Sequence, residues 1–238
     1  MSDQKPTVVL VHGAFAESAS WSGVVERLRG RSIDVVAAAN PLRSVSGDAA
    51  YVRDVVASIS GPVVLVGHSY GGVVITEAAA GSDKIRGLVY VCGFAPEHGE
   101  SAIALSGMFP GSTLGQALTG YPVSTGGNEL AIRPDAFHQQ FAADVPAARA
   151  AVMCATQRPV TEQALATGLP TAAPAWKSLP SWFVIGDDDR CIPAQLQRFM
   201  ATRAGAKGVS AVPGASHAIA VSQPDVVTAA IVEAVEAV

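Results

Sequence analysis

Residues Gly67-His68-Ser69-Tyr70-Gly71 stand directly behind the apolar run Pro62-Val63-Val64-Leu65-Val66 and directly before an apolar, alanine-rich stretch over 72–80. The segment reads as a buried strand that turns sharply into a helix, with a serine at the tip. So tight a turn leaves no room for Cβ atoms two positions to either side of the serine, and glycine occupies both. A hydroxyl is a poor nucleophile at neutral pH and reacts only when presented beside a base. Such a chain needs a sheet to carry the strand, helices to cover it, and a base at the same sheet edge.

The remaining sequence has the pattern for all three. Short β-branched runs at 7–11, 33–38, 62–66 and 85–92 read as strands, and 18–29, 48–59 and 71–80 read as the helices between them. The strands are continuously apolar rather than alternating, as expected when both faces of a sheet are covered. Strand–helix alternation of this kind implies right-handed crossovers and a parallel sheet. From about Phe94 to Leu179 no comparable strand is visible. The clearest helix there covers 135–151, with Phe137 and Phe141 on one face and Pro146 imposing a kink or a division into two helices. The alternation resumes with a strand at 181–185, a helix at 193–204, a strand at 208–212 and a helix at 224–238. The expected architecture is α/β: a six-stranded, all-parallel sheet flanked by helices, formed by residues 1–93 and 180–238. An insertion over 94–179 is too long for a structureless loop and is expected to form a helical cap.

Composition narrows the function. With 49% apolar residues the 238-residue chain has ample material for a buried core, and its formal net charge of −4 comes without any basic stripe, which argues against nucleic acid as a partner. No stretch approaches the roughly 18 apolar residues of a membrane span. The apolar run that begins after Pro6 ends at Val11, too short for a signal peptide. Cys92, Cys154 and Cys191 are odd in number and lack metal-ligand spacing, and they read as reduced thiols of a cytoplasmic protein. No metal or cofactor is implied, and the chain is compatible with a homodimer.

A serine nucleophile needs a base, and the base an orienting group. Of five histidines, His217 follows the last strand in Pro213-Gly214-Ala215-Ser216-His217, at the same sheet edge as Ser69. His12 and His68 are expected to hold loops in place, while His98 and His138 fall in the insertion. The acid should leave that same edge, where Gly186-Asp187-Asp188-Asp189 follows the strand at 181–185. Spacing alone does not choose among the three aspartates. An oxyanion needs preorganised N–H donors. Tyr70, directly after the serine, provides one, and Ala14 in the loop His12-Gly13-Ala14-Phe15 provides the second. Phe15, Tyr70, Phe109, Phe137 and Phe141 are the expected apolar lining of the substrate pocket.

The segments Leu10-Val11-His12-Gly13-Ala14, Val66-Gly67-His68-Ser69-Tyr70-Gly71-Gly72 and Gly214-Ala215-Ser216-His217 make the chain resemble the α/β-hydrolase superfamily. The order serine, aspartate, histidine is that family's own. It is most similar to the compact branch of plant methylesterases, hydroxynitrile lyases and small bacterial carboxylesterases. Residues 87–96 with Glu100-Ser101 are typical of that branch. The resemblance implies that the acid lies shortly before the Ile-Pro opening the next helix, which selects Asp189 in Asp189-Arg190-Cys191-Ile192-Pro193. The chain is expected to depart from the superfamily pattern in one respect, since the six residues before Thr7 leave no room for its two leading antiparallel strands. Related lyases carry a lysine after the catalytic histidine, and Ala218 stands there in this chain. The implied activity is ester cleavage, and since no basic cluster lies near the motifs, the expected substrates are small to medium, largely uncharged esters. A cofactor-independent oxygenase or perhydrolase, or a non-catalytic small-molecule receptor, would use the same frame.

Overall fold

The computed structural model of the chain describes residues 5–238. Its first half alternates as the pattern predicts: β1 (Thr7–Val11), α1 (Ser22–Arg29), β2 (Val35–Ala38), α2 (Val45–Ser58), β3 (Val63–His68), α3 (Gly71–Ala79) and β4 (Ile85–Val91). A short 3-10 turn, Ser18–Trp21, leads into α1. Helix α2 starts three residues earlier than the apolar pattern indicates, because the Ser44 hydroxyl accepts the Gly47 N–H at 3.2 Å and caps it.

Between β4 and the next core strand lie α4 (Ala102–Ser106), α5 (Leu114–Ala117), β5 (Leu118–Pro122), β6 (Asn128–Ile132), α6 (Pro134–Phe141), α7 (Ala147–Thr156), β7 (Val160–Thr161) and α8 (Glu162–Ala166). The helices answer the expectation, and the 135–151 pattern resolves into two of them, α6 and α7, divided before Pro146. The strands correct it, since β5, β6 and β7 form a small antiparallel sheet. This hairpin is hard to read because β5 contains Gly120 and Pro122 and most of its residues face solvent, so it lacks the apolar alternation that marks a strand.

The core resumes with β8 (Ser181–Gly186), α9 (Ala194–Arg203), β9 (Gly208–Val212), α10 (Ile219–Ser222) and α11 (Pro224–Glu236). The six-stranded sheet runs β2-β1-β3-β4-β8-β9 and every neighbouring pair is parallel. Successive residues of a strand alternate between two cores. Val9, Leu65 and Phe183 pack with α2, α3, α9 and the insertion, while Val8, Val64 and Trp182 pack with α1 and α11. Strand order reverses between β1 and β3, so the crevice where open α/β sheets bind ligands lies at the C-terminal ends of those two strands. Among the described residues no helix is long and apolar enough to cross a membrane.

Candidate active site

Ser69 leaves β3 in the left-handed region, at φ +55°, a conformation costly for a non-glycine residue and typical of strained functional turns. The backbone secures it there: its N–H donates to Val91 O at 3.3 Å, and its carbonyl accepts the N–H groups of Gly72 (2.9 Å) and Phe94 (3.1 Å). A Cβ on Gly67 would stand 2.6 Å from Gly71 O, and one on Gly71 would stand 2.3 Å from Val11 O. The flanking glycines are thus required by the packing of the elbow against itself and against β1. Gly13 brings the loop after β1 onto the serine, since a Cβ there would lie 2.5 Å from Ser69 Cβ. Ala14 follows it. The backbone N–H groups of Ala14 and Tyr70 have no hydrogen-bond acceptor among the described residues.

The three aspartates separate completely. Asp189 is buried, and each of its oxygens takes two donors. Oδ1 accepts the Cys191 and Ile192 N–H groups at 2.8 and 2.9 Å, while Oδ2 accepts His217 Nδ1 at 2.8 Å and Gln197 Nε2 at 2.9 Å. Asp187 instead pairs with Arg198, and Asp188 is exposed. With a carboxylate accepting at Nδ1, His217 carries its proton there and keeps Nε2 as the basic nitrogen. Its backbone is anchored as well. The His217 carbonyl accepts His68 Nε2 at 2.9 Å, and the neighbouring Ala218 N–H donates to Phe141 O at 2.9 Å.

Burial holds His68 well below the ordinary histidine range, so it is neutral and serves as a donor to that carbonyl. His12 is lowered to about 4, chiefly by burial, and its Nδ1–H donates to Gly13 O at 2.9 Å. Asn40 Nδ2 donates to His12 O at 2.9 Å. Both histidines therefore brace the loops that carry Ala14 and His217. His98 and His138 bond backbone carbonyls within the insertion or at its border.

Ser69 and His217 open onto one cavity of about 170 Å³. Phe15 and Tyr70 line it as expected, and most of the remaining wall is aliphatic, from Leu114, Leu118, Leu130, Leu165 and Ile192. Phe109, Phe137 and Phe141 are not among its lining residues. Phe137 and Phe141 stack on each other in the core (5.1 Å between centroids), and Phe141 sets its edge against the His217 ring at 5.0 Å. Phe109 packs on Phe199 at 5.7 Å. The pair in α6 thus supports the histidine from behind.

Two contributors escaped the sequence reading. Gln197 lies on the buried face of α9 with Leu196, Met200 and Ala201. Asp48 lies on the buried face of α2 with Val45, Ala49, Val52 and Val56, and its Oδ2 accepts the Tyr70 hydroxyl at 2.9 Å. Burial raises the Asp48 carboxyl, against the opposing effect of the Arg43 N–H and Tyr70 hydrogen bonds, and it raises the Tyr70 phenol too. The available signal was in each case a polar residue within an apolar stripe. Cys92, Asp189 and His217 also place potential metal-ligand atoms within 4.8 Å of one another. Burial pushes the Cys92 thiol up and keeps it protonated, and Asp189 and His217 are already engaged with each other.

Residues 8–230 match the alpha/beta hydrolase family. The chain belongs to that family. Among curated members, the alpha/beta hydrolase nvfD of Aspergillus novofumigatus is 28% identical over 249 residues, covering 94% of each chain. The carbendazim hydrolyzing esterase of a Nocardioides species is 52% identical over 60 residues, which cover 23% of this chain and 25% of that protein. Among solved structures, polyneuridine aldehyde esterase superposes with a TM-score of 0.82 at 21% identity, over 97% of this chain and 99% of the other. A pyrethroid hydrolase from Sphingobium faniae gives 0.76 at 24% identity, over 98% of both. In fold the chain is similar to these two solved hydrolases over nearly its whole length.

Proposed function

We propose that this alpha/beta hydrolase is a serine esterase acting on small to medium, largely uncharged esters, and that residues 94–179 are the cap closing its site. The observation that carries the reading is the 2.8 Å bond from His217 Nδ1 to buried Asp189, with Ser69 and His217 on the wall of one largely apolar cavity.

In this reading Ser69 Oγ attacks the ester carbonyl while His217 Nε2 takes its proton, and Asp189 holds the imidazole in the required tautomer and stabilises the imidazolium. The free N–H groups of Ala14 and Tyr70 meet the developing oxyanion, each worth roughly 10²–10³ in rate by analogy with other acyl-transfer sites. His217 then protonates the leaving alcohol. Water activated by the same nitrogen releases the acid. All of this chemistry comes from side chains and backbone, so the reaction calls for no cofactor. The aliphatic wall disfavours charged groups, which would lose their hydration without a partner. Relatives named for hydrolysing carbendazim and pyrethroids accord with a small-molecule substrate.

The test is turnover of p-nitrophenyl acetate and butyrate together with labelling by a fluorophosphonate probe, on wild type and Ser69→Ala. Both activities are expected in the wild type and both are expected to vanish in the variant. Full turnover by Ser69→Ala would exclude the mechanism. Labelling without turnover would mean an activated serine in a site built for another reaction.

A further inference from the structure

A second cavity, of about 160 Å³, lies beside α7 between Glu17, Ser20, Arg149, Val152, Met153 and their neighbours. One residue lines both this cavity and the one that holds Ser69, and it is Phe15. We propose that Phe15 sets the upper size limit of the ester this enzyme accepts, by closing the Ser69 cavity off from an amphiphilic subsite that would otherwise extend it. The proposal rests on the esterase reading for its substrate class.

Three observations converge on Phe15. Its side chain is buried, so the ring is a wall between the cavities and not a surface ornament. Its backbone sits at φ +61°, a conformation unfavourable for a bulky residue, and its N–H donates to Arg158 O at 3.1 Å, immediately beyond the helix that forms the second cavity. Strain of that kind persists only where the surroundings impose it. Here the imposing contacts are Gly13 against Ser69 on one side and the tie to Arg158 on the other. The backbone that carries the ring is therefore held in place relative to the serine.

The sizes explain what the partition does. A dry cavity of about 150 Å³ accommodates a molecule of the size of benzene, so the Ser69 cavity alone suits a short alkyl or single-ring group. Joining the two cavities about doubles the space. The added half is apolar at Val152 and Met153 and polar at Glu17, Ser20 and Arg149, which fits an acyl or alcohol chain of eight or more carbons, with or without a polar end.

The experiment compares wild type, Phe15→Ala and Phe15→Gly. Glycine adopts positive φ without cost, so the second variant opens the wall while relieving the backbone. Two ester series are used: p-nitrophenyl acetate through dodecanoate, and acetates of ethanol through decanol followed by pH-stat. Each further methylene buried favours the longer chain. In at least one series the kcat/KM ratio of eight-carbon to two-carbon ester is therefore expected to rise at least tenfold in the variants. Unchanged ratios in both series, with normal fluorophosphonate labelling, would overturn the proposal. If the wild type neither turns over esters nor labels, the esterase reading is what has failed. The partition is then read from 1-octanol binding by calorimetry, where at least tenfold tighter binding by the variants supports it and equal affinity overturns it.

Discussion

The three adjacent aspartates after β8 show how much one residue's surroundings decide. They are chemically identical and consecutive, yet only Asp189 turns inward to four hydrogen-bond donors, His217 among them. Asp189→Asn is expected to lower kcat by about 10³–10⁴, because the amide stabilises the wrong imidazole tautomer. Asp187→Asn and Asp188→Asn, exposed or paired at the surface, should stay within about threefold of wild type. Steady-state kinetics on the three variants checks this, and equal losses in all three would contradict the assignment. Burial marks Asp48 in the same way. Asp48→Ala leaves the buried Tyr70 hydroxyl and the half-buried Arg43 N–H without their acceptor, and a buried group left unsatisfied costs about 1–3 kcal/mol. Urea denaturation should show that loss as a lower midpoint with an unchanged slope.

At the scale of elements, the site is an arrangement of strand ends. β1 and β3 are neighbours in the sheet though distant in sequence, and their C-terminal turns bring Gly13 against Ser69. Gly13→Ala would force a Cβ to 2.5 Å from Ser69 Cβ, displacing the serine or the Ala14 N–H. Activity should fall at least about 10²-fold, since the loss of one oxyanion donor alone does as much. Thermal unfolding monitored by circular dichroism separates this from global damage. A Gly13→Ala enzyme with wild-type kcat/KM would show that the loop does not position the site. The core elements were legible in sequence because β1 and β3, with the greater part of β4 and β8, are continuous apolar runs bounded by turn residues. The β5–β6 hairpin was not, because Gly120 and Pro122 interrupt β5 and four of its five residues face solvent, leaving Leu118, Leu130 and Ile132 as isolated contacts with the core. The same limit applies to the pocket wall. The Phe137–Phe141 spacing marks a buried helix face, but whether that face meets the substrate or the back of His217 depends on where α6 docks.

For the molecule as a whole, burial of two neutral histidines couples stability to acidity. His12 is lowered to about 4 and His68 is held well below its usual range, both mainly by burial. In the unfolded chain each takes up a proton near pH 6.5, while the folded state does not. Stability is therefore fully present above about pH 6.5 and is lost as the pH falls toward 4. His12 alone accounts for about 3 kcal/mol of that loss. Asp48 works in the opposite sense, because the folded state holds its proton more tightly, but in the more acidic carboxylate range. Denaturation midpoints at pH 7.5, 5.5 and 4.5 should decline in that order, and His12→Asn should flatten the decline. A pH-independent midpoint would mean that neither histidine is buried in its neutral form.

The alternation of strands and helices, the elbow at Ser69 and the serine–aspartate–histidine order follow from the order of residues along the chain. These are local matters: apolar runs, glycine spacing and the chain's own succession of elements. Tertiary structure alone decided that Gln197 joins His217 on Asp189, that Asp48 holds the Tyr70 hydroxyl, and that four leucines and two isoleucines line the cavity. Each of those depends on which faces meet across the sheet. A side chain's partner in space is set by packing between elements far apart in sequence, and residue type and spacing along one element carry no record of it.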